Sequence, residues 1–210
     1  ESGPGAVYVF RRDDNVTPDD PWDDTWPLED TLIGPNPQQG QILGASVAIS
    51  GNVIVAGNPG FGESAEVFRW NEGVWLHEAS LSESGAPSRD RFGSSVDIDC
   101  NRIVVGAPYF TNHGAVYVFT YDGSAWLGEG ELAPNDWNGV GRFGVSVSIE
   151  AERAAVGAPG NGRAYVFRRE ADGLWISESE LTRSGLPIAE FGSGVLINGD
   201  FVIVGGRGNP

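Results

Sequence analysis

Residues 92–132 read FGSSVDIDCNRIVVGAPYFTNHGAVYVFTYDGSAWLGEGEL, and the fold follows from how that stretch is punctuated. It holds four runs of about five to seven residues rich in Val, Ile, Tyr, Phe or Trp. Each is bounded by Gly, Pro, Asn or Asp, the pattern of short strands joined by turns. Nothing in it sustains a helical period. In the last run Trp126 and Leu132 stand six residues apart, and Glu129 falls at an odd offset between them. In a regular strand that spacing predicts Trp and Leu on one face, packed against a neighbouring layer, with Glu turned to the rim.

The same four elements recur along the chain. The opening pair appears as Leu43-Gly44, Phe92-Gly93, Phe143-Gly144 and Phe191-Gly192, in steps of 49, 51 and 48 residues. Each pair is followed by an alternating Val and Ile: Val47 and Ile49, Val96 and Ile98, Val147 and Ile149, Val195 and Ile197. The second element is VIVAGNP (53–59), RIVVGAP (102–108), RAAVGAP (153–159) and FVIVGGR (201–207). The third is AVYVF (6–10), AEVF (65–68), AVYVF (115–119) and AYVF (164–167), and the fourth is Trp-x-x-Glu-x-x-Leu beginning at Trp26, Trp75, Trp126 and Trp175. Four strands per period of about 50 residues are the signature of a β-propeller blade. The expected core is Phe92, Phe143 and Phe191 with Trp75, Trp126, Trp175, Leu81, Leu132 and Leu181.

These motifs carry a family likeness. Phe-Gly-x-Ser-Val, Val-Gly-Ala-Pro and Gly-Ala-Val-Tyr-Val-Phe, followed by Trp and Leu six apart, resemble the FG-GAP repeat. That repeat builds the integrin α-chain propeller, and the likeness is closer to repeats of secreted bacterial and algal proteins. The resemblance implies an all-β protein, a single domain over 1–210 made of four four-stranded blades, with repeats at about 43–81, 92–132, 143–181 and 191–210. The last would be completed by 1–32, because the chain begins on a third-strand element and ends on a second-strand one. The alternative is a cut through a longer array, which the absence of any Met also fits.

Charge narrows the function. There are 13 basic residues against 29 acidic ones, a formal charge of −16, and every basic residue is Arg. Phosphate backbones need cationic partners, so a nucleic-acid binder is excluded. Without Lys there is neither a Schiff-base lysine nor a P-loop lysine. No run approaches the roughly 20 apolar residues of a membrane helix, so no membrane insertion is expected. Cys100 is the only cysteine, so no disulfide forms within the chain.

Sites for chemistry are few. The integrin-type calcium loop places alternating carboxylates between first and second strands, where this chain has only Ser50-Gly51-Asn52, Asp99-Cys100-Asn101, Glu150-Ala151-Glu152 and Asn198-Gly199-Asp200. Such short hairpin turns offer too few oxygens to wrap the ion. An insertion after Phe10 carries Asp13, Asp14, Asp19, Asp20, Asp23 and Asp24. It reads first as a solvated loop that protects a strand edge, with Ca²⁺ as the alternative occupant and no other cofactor expected. Asn15-Val16-Thr17 is an N-glycosylation sequon. No Ser elbow, zinc spacing or phosphate loop is present, and His77 and His113 do not recur between copies.

The expected role is therefore a non-enzymatic, extracellular or cell-surface module that binds protein or glycan. A self-assembling subunit of a filament or surface layer, binding copies of itself, is the alternative, and a glycan-acting enzyme the third reading. Tyr109, Phe110 and Trp137 are the candidate contact residues. They are aromatics in inter-strand connections and do not recur at equivalent positions.

Overall fold

The computed structural model describes residues 3–13, 25–83, 90–111, 113–135, 141–183 and 190–207. Three four-stranded antiparallel meanders account for most of them. The first sheet is β3 (Ser46–Ser50), β4 (Val53–Asn58), β5 (Ser64–Asn71) and β6 (Val74–Leu81). The second is β7 (Ser95–Asp99), β8 (Arg102–Ala107), β9 (Ala115–Tyr121) and β10 (Trp126–Leu132). The third is β11 (Ser146–Glu150), β12 (Arg153–Ala158), β13 (Arg163–Arg169) and β14 (Trp175–Leu181). Two hairpins flank them, β1 (Val7–Phe10) with β2 (Leu28–Leu32) and β15 (Gly194–Asn198) with β16 (Phe201–Gly205). The expected fourth blade is not assembled here: the two hairpins form separate two-stranded sheets, and propeller closure is not shown.

The layers stack in chain order, and the apolar clusters lie between them. One joins the first and second sheets through Val55, Val67, Phe92, Ile103 and Tyr117, and the next joins the second and third through Val104, Val118, Phe143, Val156 and Phe167. Smaller clusters seat the flanking hairpins, through Val7, Leu32 and Phe68 on one side and Ala155, Val166 and Ile197 on the other. Second and third strands touch a layer on each face and are buried nearly throughout, as strands covered on both sides must be.

The fourth strands depart from the expected parity. Pairing slips between Val67 and Phe68, between Gly128 and Gly130 and between Val166 and Phe167, and likewise between Val9 and Phe10. In every case the extra residue is the Glu of Trp-x-x-Glu: Glu29, Glu78, Glu129 and Glu178. A bulge adds one residue and so reverses which face the remainder of the strand presents. Trp126 consequently packs on the cluster toward the first sheet while Leu132 is buried in the one toward the third. Trp75, Trp126 and Trp175 are partly buried rather than fully enclosed, and Trp26 is exposed.

The bulged Glu is also not a rim residue. Glu78 accepts from Arg69 Nε at 2.8 Å and from Trp126 Nε1 of the next sheet at 3.1 Å. Glu129 lies between Arg102, 3.4 Å away, and Arg169 of the third sheet. In these two copies it ties adjacent sheets together, whereas Glu29 pairs with Arg11 and Glu178 with Arg153 and Arg168 of its own sheet.

The glycines of the repeat mark the seam. A Cβ on Gly57 would stand 1.9 Å from Gly93 O, one on Gly106 2.1 Å from Gly144 O, and one on Gly157 1.9 Å from Gly192 O. The Gly of Val-Gly-Ala-Pro is therefore the socket for the Phe-Gly turn of the following sheet, whose own glycine adopts φ of 89–94°. Ser46 and Ser95 donate to the carbonyls of Gly93 and Gly144 at 3.0 and 2.8 Å across the same joint.

Candidate binding site between the first and second sheets

A cavity of about 960 Å³ opens between the first two sheets, and Phe61, Glu83, Asp90, Arg91, Phe92 and Tyr109 are among its lining residues. It is built from the turn after β4, the end of β6, the Phe-Gly turn before β7 and the turn after β8. Arg91 takes a left-handed φ of 58° at the start of that Phe-Gly turn, as do Arg142 at 49° and Glu190 at 68° in the later copies. Three of the four copies thus share the conformation. Tyr109 N donates to Asp90 O at 3.0 Å, which holds the two turns together.

The rim is aromatic. Tyr109 is 49% exposed and Phe61 65% exposed, and the Arg91 guanidinium sits 4.8 Å above the Tyr109 ring. Phe110 turns the other way: it packs on the core between the first two sheets, edge to face with Tyr117 at 6.4 Å. Trp137 lies outside the described residues, so only Tyr109 of the three expected contact aromatics is placed at a cavity.

The floor is acidic. Asp90 is only 2% exposed, and its Oδ1 accepts from Phe92 N at 3.1 Å while Oδ2 has no partner. Glu83 Oε2 and the Tyr117 hydroxyl are buried as well, and they face each other as each other's partner instead of meeting a third group. Burial, and next the neighbouring Glu83 carboxylate, pushes the Tyr117 phenol well up. Glu131, opposite Tyr117 in the ladder, is raised by partial burial of its carboxyl and then by the Glu83 charge. Buried polar atoms are almost always satisfied, so the orphaned Asp90 Oδ2 beside this pair is a chemical signal.

Asp90 was legible in the sequence, because the other copies have Gln41, Gly141 and Ala189 at its position before Leu-Gly or Phe-Gly. A carboxylate there is an addition to the repeat. Phe61 lies in the variable connection between second and third strands.

Of the acidic insertion, Asp13 is described: its backbone bridges Thr25 through bonds of 2.9 and 3.2 Å. Asp14, Asn15, Asp19, Asp20, Asp23 and Asp24 lie outside the described residues. Among the described residues no group of three His, Cys, Asp or Glu side chains is placed to hold a metal ion. Asp97 and Asp99, the alternating acids nearest a calcium pattern, are used otherwise. They accept the backbone N–H of Ile149 at 2.8 Å and of Ala151 at 2.7 Å, stapling β7 to β11. Ser50, Ser146 and Ser148 make the same kind of bond, receiving Cys100 N, Val195 N and Ile197 N.

The FG-GAP repeat model matches residues 75–119 and 126–167. No curated protein matches the chain. Among solved structures the crystal structure of Sqt1 from Saccharomyces cerevisiae is similar, at 14% identity and a TM-score of 0.49. That match covers 69% of this chain and 37% of the Sqt1 chain. The chain is all-β, in four-stranded antiparallel sheets of the kind that form propeller blades, and over residues 75–167 it is built of FG-GAP repeats.

Proposed function

We propose that this chain is a non-enzymatic binding module acting outside the cell, taking a protein or glycan at the cavity between its first and second sheets. One observation carries the reading: Phe61 and Tyr109 stand exposed at the rim of a cavity whose floor holds a buried, unpartnered acceptor. Aromatic anchors around a partly polar pocket are what recognition sites use. The test is to probe arrays of extracellular proteins and of glycans with the tagged chain, its Phe61→Ala and Tyr109→Ala variants alongside. The reading expects retention of one class that falls at least tenfold in both variants at unchanged melting temperature. Retention indifferent to both substitutions, or hydrolysis of an arrayed glycan, overturns it.

A second reading, a self-assembling subunit, is favoured by apolar surface left on the last hairpin and on the first strand of the first sheet. Phe201 and Ile203 of β16 are 74% and 63% exposed, and Val47 and Ile49 of β3 are exposed as well. Internal second strands pair Val55 with Val67 and Val104 with Val118. The same register would set Ile203 of β16 against Val9 of β1, so that β15–β16 and β1–β2 supply the two halves of one blade, in a ring or between copies. Light scattering across a concentration series should give a rising mass that Ile203→Asp abolishes. A constant monomer mass removes assembly between copies.

A further inference from the structure

The three sheets offer three versions of one cross-strand position. In the second sheet Tyr117 lies opposite Glu131, in the third Tyr165 opposite Glu180, and in the first Glu66 opposite Ser80. Each sheet therefore keeps a carboxylate at this place, and in two of them the chain itself supplies N–H donors to it. Arg163 puts Nε 3.1 Å from Glu180 Oε1 and Nη1 3.3 Å from Oε2, and Nη1 also reaches the Tyr165 hydroxyl at 3.5 Å. In the first sheet Glu66 receives His77 Nε2 at 2.7 Å and the hydroxyls of Ser64 and Ser80 at 2.7 and 2.6 Å.

The second sheet lacks both devices. Arg163 pairs with Ala158 in the ladder, and the residue in that register is Ala115, paired with Ala107. His77 pairs with Phe68, and its counterpart is Gly128, paired with Phe119. Yet this sheet has gained acceptors, since Asp90 and Glu83 gather near Tyr117 and Glu131. Asp90 Oδ2 is buried without a partner near Tyr117, whose counterpart in the third sheet, Tyr165, has the Arg163 guanidinium beside it. Among the described residues Arg91, the cation that lines the cavity, is stacked on Tyr109, and no ion pair joins it to these carboxylates. Buried carboxylates with no counter-charge are costly, and a bound cation removes the cost.

We infer that the cavity between the first and second sheets binds an organic cation bearing several N–H donors, an alkylguanidinium or alkylammonium group, received by Asp90 and Glu83 and stacked at the aromatic rim. The inference rests on the reading of this cavity as a binding site. Anionic ligands are opposed by the same carboxylates. The donor set asks for directional N–H groups, as the Arg163 fork supplies in the third sheet, and ring faces at the mouth suit a cation and its alkyl stem.

The test is an amide NMR titration of the full chain at low ionic strength with four probes: ethylguanidinium, n-butylammonium, the neutral isostere ethylurea, and Ca²⁺. The two organic cations should shift the amides of Asp90, Phe92 and Tyr109, and ethylurea should leave them in place. Asp90→Asn keeps the oxygen that receives Phe92 N, and combined with Glu83→Gln it should weaken cation binding at least tenfold with the melting temperature retained. Ala115→Arg, which copies Arg163, should also abolish the shifts. Equal binding of ethylurea would leave the cavity a binding site and overturn the cation. Shifts at lower concentration with Ca²⁺, indifference to the double substitution, or no shift with any probe would each overturn the inference. In the last case the protein and glycan arrays still decide the broader reading.

Discussion

Replacing Gly106 by Ala tests whether the repeat's second glycine is a socket for the next sheet. The added methyl would stand 2.1 Å from Gly144 O and 2.3 Å from Ser95 Oγ, where real Cβ contacts do not fall below 3.0 Å. The nearer atom is backbone, so the third sheet's Phe-Gly turn must move as a unit. That movement strains the 2.8 Å bond from Ser95 to Gly144 O and loosens Phe143, one of the most buried side chains of the core. Overpacking of a tight site costs about 1–3 kcal/mol and a lost hydrogen bond about 1 kcal/mol, which together place the loss at roughly 2–4 kcal/mol. Gly128→Ala is the internal control, because a Cβ there meets nothing within 4 Å. It should be neutral or stabilising by up to about 1 kcal/mol through the unfolded chain. Urea unfolding monitored by tryptophan fluorescence reads both. If Gly106→Ala unfolds within about 0.5 kcal/mol of the wild type, the socket argument is wrong.

Glu129→Gln should destabilise by about 2 kcal/mol, because Glu129 is buried between Arg102 and Arg169 and only the half-exposed Glu152 remains to face them; a melting temperature within 1 °C of wild type would contradict that. Added EDTA should leave the melting temperature unchanged, since Asp97 and Asp99 are occupied by backbone amides; a drop of several degrees would reveal a metal site. Burial, partly offset by bonds from Ile149 N and Ile98 N, holds the Asp97 carboxyl above the usual range. The folded state therefore grips that proton more tightly than the unfolded chain, and the resulting stability is present in acid and lost as pH rises through the raised value. Asp97→Asn should accordingly compare best with wild type near neutral pH and fall behind it toward pH 4. Thermal melts across that interval that stay parallel would refute the assignment.

The sheets were legible because their signal is local. Runs of five to seven residues between Gly, Pro and Asn set each strand, and the period of about 50 residues set their number. Facing was misread where the signal is not local: counting offsets from Trp126 to Leu132 assumes an unbroken pleat, and the bulge at Glu129 breaks it in all four copies. A Glu fixed at the same offset after Trp in all four copies was the available clue, since a bulged residue leaves the ladder and is free to seek a charge. The roles of Asp97 and Asp99 could not be read, because their partners lie 52 residues away in the next sheet. Asp90 was readable as a departure from Gln41, Gly141 and Ala189, whereas the missing counter-charge becomes visible only when Ala115 and Arg163 are set in one register.

The same joints that hold the layers together fix the acidic floor. Asp90 is tied through Oδ1 to the amide of Phe92, and Phe92 is locked by its ring into the core between the first and second sheets. Gly93, the next residue, seats in the socket at Gly57, with its carbonyl held by Ser46. The carboxylate is therefore carried by the seam between two sheets instead of by a free loop, and its Oδ2 keeps one position without a ligand to order it. A cation entering the cavity meets an acceptor whose ordering entropy was already lost when the sheets packed, which is the condition under which a single buried charge contributes most to binding. The sequence varies two residues before the Phe or Leu of this turn, with Gln41, Asp90, Gly141 and Ala189 in the four copies, and in the second copy the rigid joint fixes a carboxylate there.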